Sequence, residues 1–346
     1  MKPDVQILNP ITYPGWDDII LSFPEYSFFH SSAWAKVLSE SYGYTPMYFA
    51  IPDGNGFSAL VPMMEVDSFL TGKRGVSLPF TDYCEPILSD GVSFEEIFNS
   101  VKAEGKKHEW RYIELRSHRN LSPFSFPSLT YLGHTLSLEK GEGSLYKELR
   151  DSTKRNIKKA KAEKVEIKTS DQPESIDQFY SLNSVTRKRH GLPPQPLSFF
   201  KNIFELIIKK GKGIVVLGLY EGKAIAASVF FHFDKKAVYK YGASDLEYQS
   251  LRANNLVMWE AIRWYSQNGY KSLCLGRTEP ENQGLIQFKS GWGASEQQIN
   301  YYRYDFKKGS FVSAFSKVTG FHNKIFRNIP IPLLNRIGSI LYKHVG

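Results

Sequence analysis

The chain has 346 residues, a length typical of two domains of similar size rather than of one core. Hydrophobic residues make up 42% and aromatic residues 14% of it, which is enough apolar surface for packed interiors and excludes an intrinsically disordered chain. The formal net charge of +9 favours an anionic partner, such as a nucleic acid, a phosphorylated small molecule or a membrane surface.

Several classes of site are excluded by what the sequence lacks. Cys84 and Cys274 are its only cysteines, too few for a disulfide framework. The eight histidines are scattered, and none stands at metal-ligand spacing from a carboxylate or a cysteine, so no metal site is predicted. The N-terminal stretch MKPDVQILNPITYPGW lacks the apolar region of a secretory signal, and no run is long enough to span a bilayer. We therefore expect a cytoplasmic protein.

The first half of the chain alternates between helical and strand patterns. SSAWAKVLSESYG (31–43) predicts a helix, and YFAIPDGNGFSALVPMMEV (48–66) predicts a β-hairpin whose turn contains Asp-Gly and Asn-Gly at positions 53–56. FEEIFNSVKAEGKK (94–107) is amphipathic and precedes the strand pattern RYIELR (111–116).

The second half repeats this order. LSFFKNIFELIIKKG (197–211) predicts a helix, and VVLGLYEGKAIAASVFFHF (215–233) predicts a hairpin. LVMWEAIRWYSQNG (256–269) predicts a helix that ends at its glycine, and SLCLGR (272–277) predicts the next strand. The repetition predicts a duplicated α/β plan, with mixed sheets that carry helices on their faces.

A strongly basic stretch, LYKELRDSTKRNIKKAKAEKVEIK (145–168), lies between the halves. On one helix, Lys154, Lys158 and Lys161 would share a face, with Arg155 and Lys159 beside them. Like charges at this spacing destabilise a helix by a few tenths of a kcal/mol per pair. This cost favours a compensating anion, either a tRNA backbone or the diphosphate of a small precursor. A solvated helix face is the alternative explanation.

With these elements placed, the chain resembles the FemABX family of bacterial aminoacyl transferases. The matching segments are SSAWAKVL (31–38), LPFTDYCEPIL (78–88), the basic helix, YKYGASDLEYQSLRANNLVMWEAIRWYSQNGYKSLCLGR (239–277) and GLIQFKSGWGA (284–294). The resemblance implies two tandem GNAT-like domains, 1–145 and 169–305, separated by the basic helix 146–168 and followed by a basic, apolar tail, 306–346. It also implies transfer of an amino acid from aminoacyl-tRNA to an amine of a peptidoglycan precursor that carries a diphosphate.

Two residues are candidates for catalysis. The resemblance implies that Lys289, in QFKSGWG, stabilises the oxyanion of the tetrahedral intermediate or binds a phosphate; the alternative is a surface lysine before a turn. Asp82, in the proline-bounded loop PFTDYCEP, could accept a proton from the attacking amine. An Asx turn that satisfies its own backbone is the alternative for Asp82.

Further residues are candidates for substrate binding. In the first half, Lys36 would contact a phosphate and Trp34 would form an apolar wall, although two residues apart on a helix they would not share a face. The alternatives are a core tryptophan and a solvated lysine. The remaining candidates are polar or aromatic side chains in matching segments or at strand and helix ends, namely Tyr83, Arg187, Arg189, Tyr239, Tyr241 and Arg277. Tyr239 and Tyr241 alternate along a predicted strand and would lie on one face, where they would bind substrate or belong to the core.

The acyl donor remains open in the sequence. Enzymes that use acetyl-CoA hold its pyrophosphate in a glycine-rich turn at a helix N-terminus. The corresponding turn here reads QSLRANN (249–255), without glycine and with Asn254 or Asn255 as the expected N-cap. Acetyl-CoA is therefore less expected than aminoacyl-tRNA, although the basic helix is too short for the coiled-coil arm of the tRNA-dependent relatives. No bound cofactor is expected.

Two other functions fit the sequence. One is a CoA- or carrier-dependent N-acyltransferase that acts on an envelope sugar or exopolysaccharide. The other is a non-catalytic protein that binds RNA or anionic lipid. The tail segment PIPLLNRIGSILYKHVG (330–346) would lie on an anionic membrane or cap the second domain.

Overall fold

The protein is described from a computed structural model, which covers residues 4–54, 56–121, 126–313 and 321–346. Asn55, in the predicted hairpin turn, lies outside these ranges, as does part of the predicted tail. Within them, no helix combines the length and the apolar character that crossing a bilayer requires.

The described strands and helices follow each other in a mixed α/β order. The strands are β1 (Gln6–Leu8), β2 (Thr45–Pro46), β3 (Tyr48–Asp53), β4 (Gly56–Val61), β5 (Met64–Val66), β6 (Arg74–Val76), β7 (Ile87–Leu88), β8 (Tyr112–Ser117), β9 (Leu129–Ser137), β10 (Glu166–Ser170), β11 (Gly213–Tyr220), β12 (Lys223–Phe233), β13 (Lys236–Ser244), β14 (Ser272–Thr278), β15 (Ser295–Asp305) and β16 (Ser310–Val312). The helices are α1 (Trp16–Leu21), α2 (Ser32–Tyr42), α3 (Phe94–Lys107), α4 (Glu142–Glu148), α5 (Asp151–Ala162), α6 (Pro173–Arg189), α7 (Leu197–Ile203), α8 (Ala253–Gln267), α9 (Gln283–Ser290), α10 (Phe321–Asn328) and α11 (Ile331–Val345).

The chain forms two compact units. Unit 1 comprises Met1–Leu132, Gln297–Lys317 and Leu341–Gly346, and unit 2 comprises Gly133–Glu296 and Val318–Ile340. The chain passes from one unit to the other within β9, β15 and α11.

Unit 1 contains an antiparallel sheet in the order β1-β3-β4-β7 and a second set of strands in the order β15-β8-β6-β5-β2. In the second set β6 pairs with β8 in parallel, and α3 forms part of the connection between them. The side chain of Ser93 caps α3 by accepting a hydrogen bond from the backbone N–H of Glu95. Phe94, Ile97 and Val101 then form the buried stripe that packs α3 onto the sheet.

Unit 2 contains strands in the order β10-β11-β12-β13-β14. The first four are antiparallel neighbours, whereas β13 and β14 are parallel and are connected through α8. One face of this sheet packs against α5 and α8, where Ile157 and Trp259 belong to the same buried cluster as Phe230 of β12. On the other face, Tyr241 of β13 packs against Phe179 of α6.

The predicted mixed α/β class and the duplicated plan are confirmed. Each unit contains an antiparallel hairpin, β3–β4 or β11–β12, followed by a parallel pair of strands joined through a helix. Two parallel neighbouring strands need a crossover connection, usually a helix. The helical segment between two strand patterns was therefore the sequence signal for a parallel pair.

The basic stretch is not one helix, contrary to the sequence-based expectation. It forms α4 and α5, which are separated at Leu149 and Arg150, where ψ is near 140°. A hydrogen bond holds the chain at this break: the backbone N–H of Arg150 donates to the carbonyl of Gly291. Lys164, with φ of 59°, lies just beyond the C-terminal end of α5, and Lys168 belongs to β10.

The start of α8 also differs from the prediction. Its N-cap is Arg252, in the left-handed conformation with φ of 59°. Asn254 and Asn255 lie within the first turn instead of capping it. A short 3-10 helix, Leu246–Leu251, occupies the preceding residues, so that the helix begins two residues earlier than an asparagine cap would allow.

Candidate functional site

The parallel strands β13 and β14 pair with each other over only a short part of their length. Their register contains only three residue pairs, from Lys236 with Ser272 to Val238 with Cys274. Beyond them β13 continues to Ser244 and β14 to Thr278 without pairing to each other. In open α/β sheets, ligands bind beyond the carboxyl ends of parallel strands, next to the helix that follows.

A cleft of about 480 Å³ lies at the carboxyl end of β13, and we call it the helix-terminus cleft. Its lining residues come from β12, the end of β13, the first turns of α5 and α8, the 3-10 helix before α8, and one side of α9. They are Arg150, Ser152, Thr153, Asn156, Ile225, Ser244, Asp245, Tyr248, Gln249, Arg252, Ala253, Asn254, Asn255, Gly284, Gln287 and Phe288. Two helix N-termini therefore border one cavity.

The helix-terminus cleft is electropositive. A helix N-terminus carries a partial positive charge and N–H groups without intrahelical partners, and two such termini act here together with Arg150 and Arg252. The guanidinium of Arg150 lies 3.3 Å from the hydroxyl of Ser290. The cleft's carboxylate, Asp245, accepts a hydrogen bond from the backbone N–H of Glu247 and is 3.3 Å from the ammonium of Lys223. This combination is suited to binding a phosphate group.

The turn that forms this cleft contains no glycine. The Asp245 carboxylate caps the 3-10 helix, and Arg252 takes the left-handed conformation that glycine would otherwise supply. As a result, a guanidinium stands where a glycine-rich turn would expose only backbone.

Lys289 is buried near the end of β14. Its side chain is 3% exposed, and its ammonium donates hydrogen bonds of 2.9 Å to the carbonyls of Gly276 and Arg277. Arg277, another candidate residue, is thus held at its backbone by Lys289. Both carbonyls belong to the part of β14 that no longer pairs with β13. The ammonium therefore holds the end of β14 at the place where the two strands separate.

The two candidate tyrosines of β13 lie on opposite faces of the sheet, so the expected shared face is wrong. The register skips Lys240, pairing Val229 with Tyr241 and Phe230 with Tyr239. Because one extra residue inverts the alternation, this β-bulge separates the two side chains. Bulges of this kind re-aim side chains and are frequent beside functional sites.

The surroundings of the two tyrosines differ accordingly. The Tyr239 ring packs 5.4 Å from Phe230, and burial raises the pKa of its phenol. The Tyr241 ring packs 5.4 Å from Phe200. Gly242 makes room for the Tyr239 hydroxyl, which would lie 1.8 Å from a Cβ at that position.

Tyr241 also borders a second cavity of about 280 Å³, the α6–β13 cleft, which has several cationic or ionisable groups. Its lining residues are Asn183, Thr186, Arg187, His190, Gln195, Lys240, Tyr241 and Gly242. The Arg187 guanidinium donates a hydrogen bond to the carbonyl of Pro193. Burial lowers the pKa of His190, and the charges of Arg189, Arg187 and Arg327 lower it further. Arg189 lies 3.5 Å from the His190 ring.

The basic face of α5 borders a groove of about 680 Å³ with α4 and α8, which we call the basic groove. It contains Lys158 and Lys161 next to the aromatic side chains of Tyr146 and Trp259. Lys161 is 3.3 Å from the carboxylate of Glu260. The buried residues of α5 are Thr153, Ile157 and Ala160, which recur at helical spacing on the side opposite the basic face.

The other basic candidates on α5 lie outside the lining of the basic groove. The ammonium of Lys154 donates a hydrogen bond to the carbonyl of Lys147 and is 3.5 Å from Asp151. Arg155 and Lys159 are exposed.

In unit 1, the two candidates on α2 face in different directions, as predicted. Trp34 is fully buried, and its ring lies 5.7 Å from that of Phe29 and 6.3 Å from that of Phe28. Lys36 is about half exposed, and its ammonium lies 3.7 Å from the Glu40 carboxylate.

The loop that follows β6 in unit 1 has an unusual backbone. Leu78 and Phe80 have φ of 55° and 58°, in the left-handed region that residues with side chains seldom adopt. The Arg116 guanidinium stabilises this conformation by donating to the carbonyls of Leu78 and Thr81. Non-glycine residues in this region cost roughly 1–3 kcal/mol each and cluster at functional sites.

Asp82 and Tyr83 lie in this constrained loop. The carbonyl of Asp82 accepts a hydrogen bond of 2.8 Å from the hydroxyl of Tyr301. The Tyr83 ring lies 4.1 Å from the His118 ring in an edge-on arrangement. Both candidate side chains are half-buried.

Arg116 is itself fixed by a buried carboxylate. Glu114 accepts hydrogen bonds from Arg116 at 2.8 Å and from Arg303 at 2.8 Å. Burial alone would raise the pKa of Glu114, but the two arginines hold it below its usual range. The three charges form one buried network under the loop.

The comparisons with known proteins agree with this architecture. Residues 147–290 match the family model described as an acetyltransferase (GNAT) domain. No curated protein matches the chain by sequence. The crystal structure of FemX is similar over 88% of this chain and 98% of its own, with a TM-score of 0.67 and 12% identity.

Two further solved structures are similar in fold. A tandem GNAT protein from the clavulanic acid biosynthesis pathway is similar over 87% of this chain and 98% of its own, with a TM-score of 0.57 and 8% identity. L-PGS from Bacillus licheniformis is similar over 97% of this chain and 98% of its own, with a TM-score of 0.54 and 10% identity. The chain thus has a GNAT-like fold that is similar to the structures of FemX and of a tandem GNAT protein, which confirms the predicted resemblance at the level of the fold.

None of the residues that line the helix-terminus cleft was a site candidate from the sequence; Arg150, Tyr248 and Arg252 are examples. QSLRANN gave no signal for Arg252, because arginine seldom adopts the positive φ that it has at the N-cap of α8. Arg150 gave no signal either, since its place in the cleft depends on the break between α4 and α5.

Proposed function

We propose that the chain is an acyltransferase of FemABX type. It would transfer an aminoacyl group, or another acyl group, to an amine of a phosphate-bearing precursor of the cell envelope. The observation that carries this proposal is the opened β13–β14 pair with the electropositive helix-terminus cleft at its carboxyl end. An opened pair of parallel strands gives the acyl group a path between backbone edges, and the cleft gives the donor's phosphate a binding site.

We assign aminoacyl-tRNA as the donor, with its terminal phosphates at Arg150 and Arg252. Two observations support this choice over acetyl-CoA. The turn before α8 is built without glycine, and the basic groove offers Lys158 and Lys161 for a nucleic-acid backbone. In this proposal the donor is a co-substrate, and no resident cofactor is required.

The chemistry needs an amine that attacks the donor carbonyl, an oxyanion that is stabilised, and a leaving hydroxyl that receives a proton. Lys289 is proposed to stabilise the oxyanion, because two carbonyls fix its ammonium next to the opened strand end. The proton that the amine loses goes to the leaving hydroxyl of the donor, so that the step balances. The phosphates of the amine substrate are proposed to bind in the α6–β13 cleft, at Arg187 and Lys240.

A second candidate is an N-acyltransferase that uses acetyl-CoA. It is favoured by the match of residues 147–290 to the acetyltransferase domain. Both candidates place a phosphate in the helix-terminus cleft, so binding of pyrophosphate cannot distinguish them, whereas the transferred group can.

A donor screen with the full chain tests the proposal. A pool of radiolabelled aminoacyl-tRNAs and labelled acetyl-CoA are each incubated with a nucleotide-linked peptidoglycan peptide, and base-stable label in the peptide is counted. Label from aminoacyl-tRNA supports the proposal, and label from acetyl-CoA alone supports the second candidate. If neither donor is used while tRNA binds equally to the wild type and Lys289→Ala, the chain is a non-catalytic binding protein and the proposal is wrong.

A further inference from the structure

The C-terminal part of the chain has a charge pattern that the proposed acyl transfer does not use. From residue 306 to residue 346 there is no aspartate or glutamate. There are seven basic residues, namely Lys307, Lys308, Lys317, Lys324, Arg327, Arg336 and Lys343. This short segment therefore carries most of the chain's net charge of +9.

Within this segment, α11 exposes aliphatic side chains on one face. Leu333 and Ile340 are 51% and 60% exposed. They are seven residues apart, which places them two turns apart on the same face of the helix. Arg336 lies between them along this face and is exposed. The face thus presents apolar side chains together with a cation to the solvent.

The orientation of α11 is fixed by its other side. Leu334 is fully buried. Gly338 packs so closely on Pro194 that a Cβ there would lie 2.0 Å from the Pro194 carbonyl oxygen. The helix cannot rotate to bury Leu333 and Ile340 without losing this contact. Their exposure is therefore a property of the packed helix.

The preceding helix α10 also exposes an aliphatic residue and two cations, but these side chains point to different sides of the helix. Ile325 is 50% exposed, with the cations Lys324 and Arg327 on either side in the sequence. The backbone carbonyl of Asn323 packs against Gly191 at the end of α6, where a Cβ would lie 2.1 Å away. In unit 2 we define the C-terminal face as Leu333, Arg336 and Ile340 of α11.

We propose that the C-terminal face is a docking surface for an anionic lipid bilayer. Amphipathic helices with aliphatic residues and cations on the exposed face bind in the plane of such a bilayer. Anionic lipids supply the negative charge that a segment without acidic residues lacks. A second copy of the chain fits less well, because a symmetric contact would pack this face on its own copy, which offers the cations no acidic partner.

Vesicle flotation of the full chain tests this proposal. Vesicles of phosphatidylcholine alone are compared with vesicles that contain about one-third phosphatidylglycerol. We expect the wild type to float with the anionic vesicles and not with the neutral ones. Removing one cation near an anionic surface costs about fivefold in partitioning, so Arg336→Gln should weaken binding by about that factor. The matched control is Lys201→Gln, which removes an exposed lysine from α7 and should change little.

The apolar part of the face is tested separately. The double variant Leu333→Ser and Ile340→Ser should lower partitioning about tenfold, because both side chains would enter the lipid. Val185→Ser, which changes an aliphatic residue of α6 that is 40% exposed, is the control and should bind as the wild type does. The substituted side chains are at the surface, and equal unfolding midpoints of all variants would show that the fold is kept.

Three results would overturn the proposal. The wild type could fail to float with anionic vesicles, the variants of the C-terminal face could float as well as their controls, or light scattering could show a dimer that the double variant abolishes. The last result would assign the face to a second copy. None of these outcomes depends on whether the chain transfers acyl groups, so the docking surface and the proposed activity can fail separately.

Discussion

Replacing Arg252 with glycine should affect stability and phosphate binding in opposite directions. Arg252 has φ of 59° at the N-cap of α8 and lines the helix-terminus cleft. A left-handed conformation costs a residue with a Cβ about 1–2 kcal/mol, and glycine avoids that cost. Glycine also gives the unfolded chain more freedom, which cancels about 0.5–1 kcal/mol. Arg252→Gly should therefore raise the free energy of unfolding by about 0.5–1 kcal/mol.

The same substitution removes a guanidinium from the cleft. An ion pair between an exposed guanidinium and a phosphate is worth about 1 kcal/mol, which corresponds to about fivefold in Kd. Urea denaturation measures the first effect, and calorimetric titration with inorganic pyrophosphate measures the second. Arg252→Lys keeps the charge without the planar pair of donors, and its affinity should be intermediate.

Lys164 provides a matched control in the same unit. Its φ is also 59°, and it lies just beyond the other end of α5, away from the residues that line the helix-terminus cleft. Lys164→Gly should gain similar stability and bind pyrophosphate as the wild type does. The assignment of the cleft is refuted if Arg252→Gly binds pyrophosphate with wild-type affinity, or if both glycine variants weaken binding equally.

Three further predictions concern buried ionisable groups. Lys289→Met should lower the free energy of unfolding by about 2–3 kcal/mol, because two carbonyls lose a charged donor; the exposed-lysine variant Lys271→Met should change it by less than about 0.5 kcal/mol in the same urea titration. Glu114→Gln should cost about 3 kcal/mol or more, since it leaves two paired arginines without their buried carboxylate, and a smaller loss in calorimetric melting would contradict the buried network. Burial lowers the pKa of His232, against the raising effect of its hydrogen bond to the Gly211 carbonyl. Folding therefore opposes its protonation, and its contribution to stability is complete above the unfolded pKa of about 6.5 and is lost as pH falls below it. His232→Gln should reduce the drop in urea midpoint between about pH 7.5 and 5.5, and an unchanged drop would show that other groups cause it.

The fold could be predicted largely from the order of patterns along the chain. The hairpins and the helix from Leu256 onwards are set by local periodicity and turn residues, which a single sequence displays directly. The duplication followed from finding the same order twice. The packing stripe of α5 was also predictable, because Ile157 and Ala160 recur at helical spacing.

The candidate site was harder to predict because its geometry depends on contacts between distant segments. The break at Arg150 depends on a backbone bond to Gly291, and the left-handed Arg252 depends on the packing of the 3-10 helix before it. The bulge at Lys240 inverted the faces of two tyrosines, and nothing in an alternating strand pattern marks an extra residue. Lys289 was a candidate from the sequence, but its burial against a strand end depends on contacts with residues 276 and 277 that the sequence does not display.

Mass spectrometry of the reaction product tests the central claim most directly. The full chain is incubated with charged aminoacyl-tRNAs and a nucleotide-linked peptidoglycan peptide, and the peptide is fragmented. Acyl transfer at the opened β13–β14 pair predicts a peptide whose mass has increased by one aminoacyl residue, attached through an amide at a side-chain or terminal amine. An unmodified peptide after incubation with every charged tRNA and with acetyl-CoA, from protein that still binds pyrophosphate in the helix-terminus cleft, would contradict it.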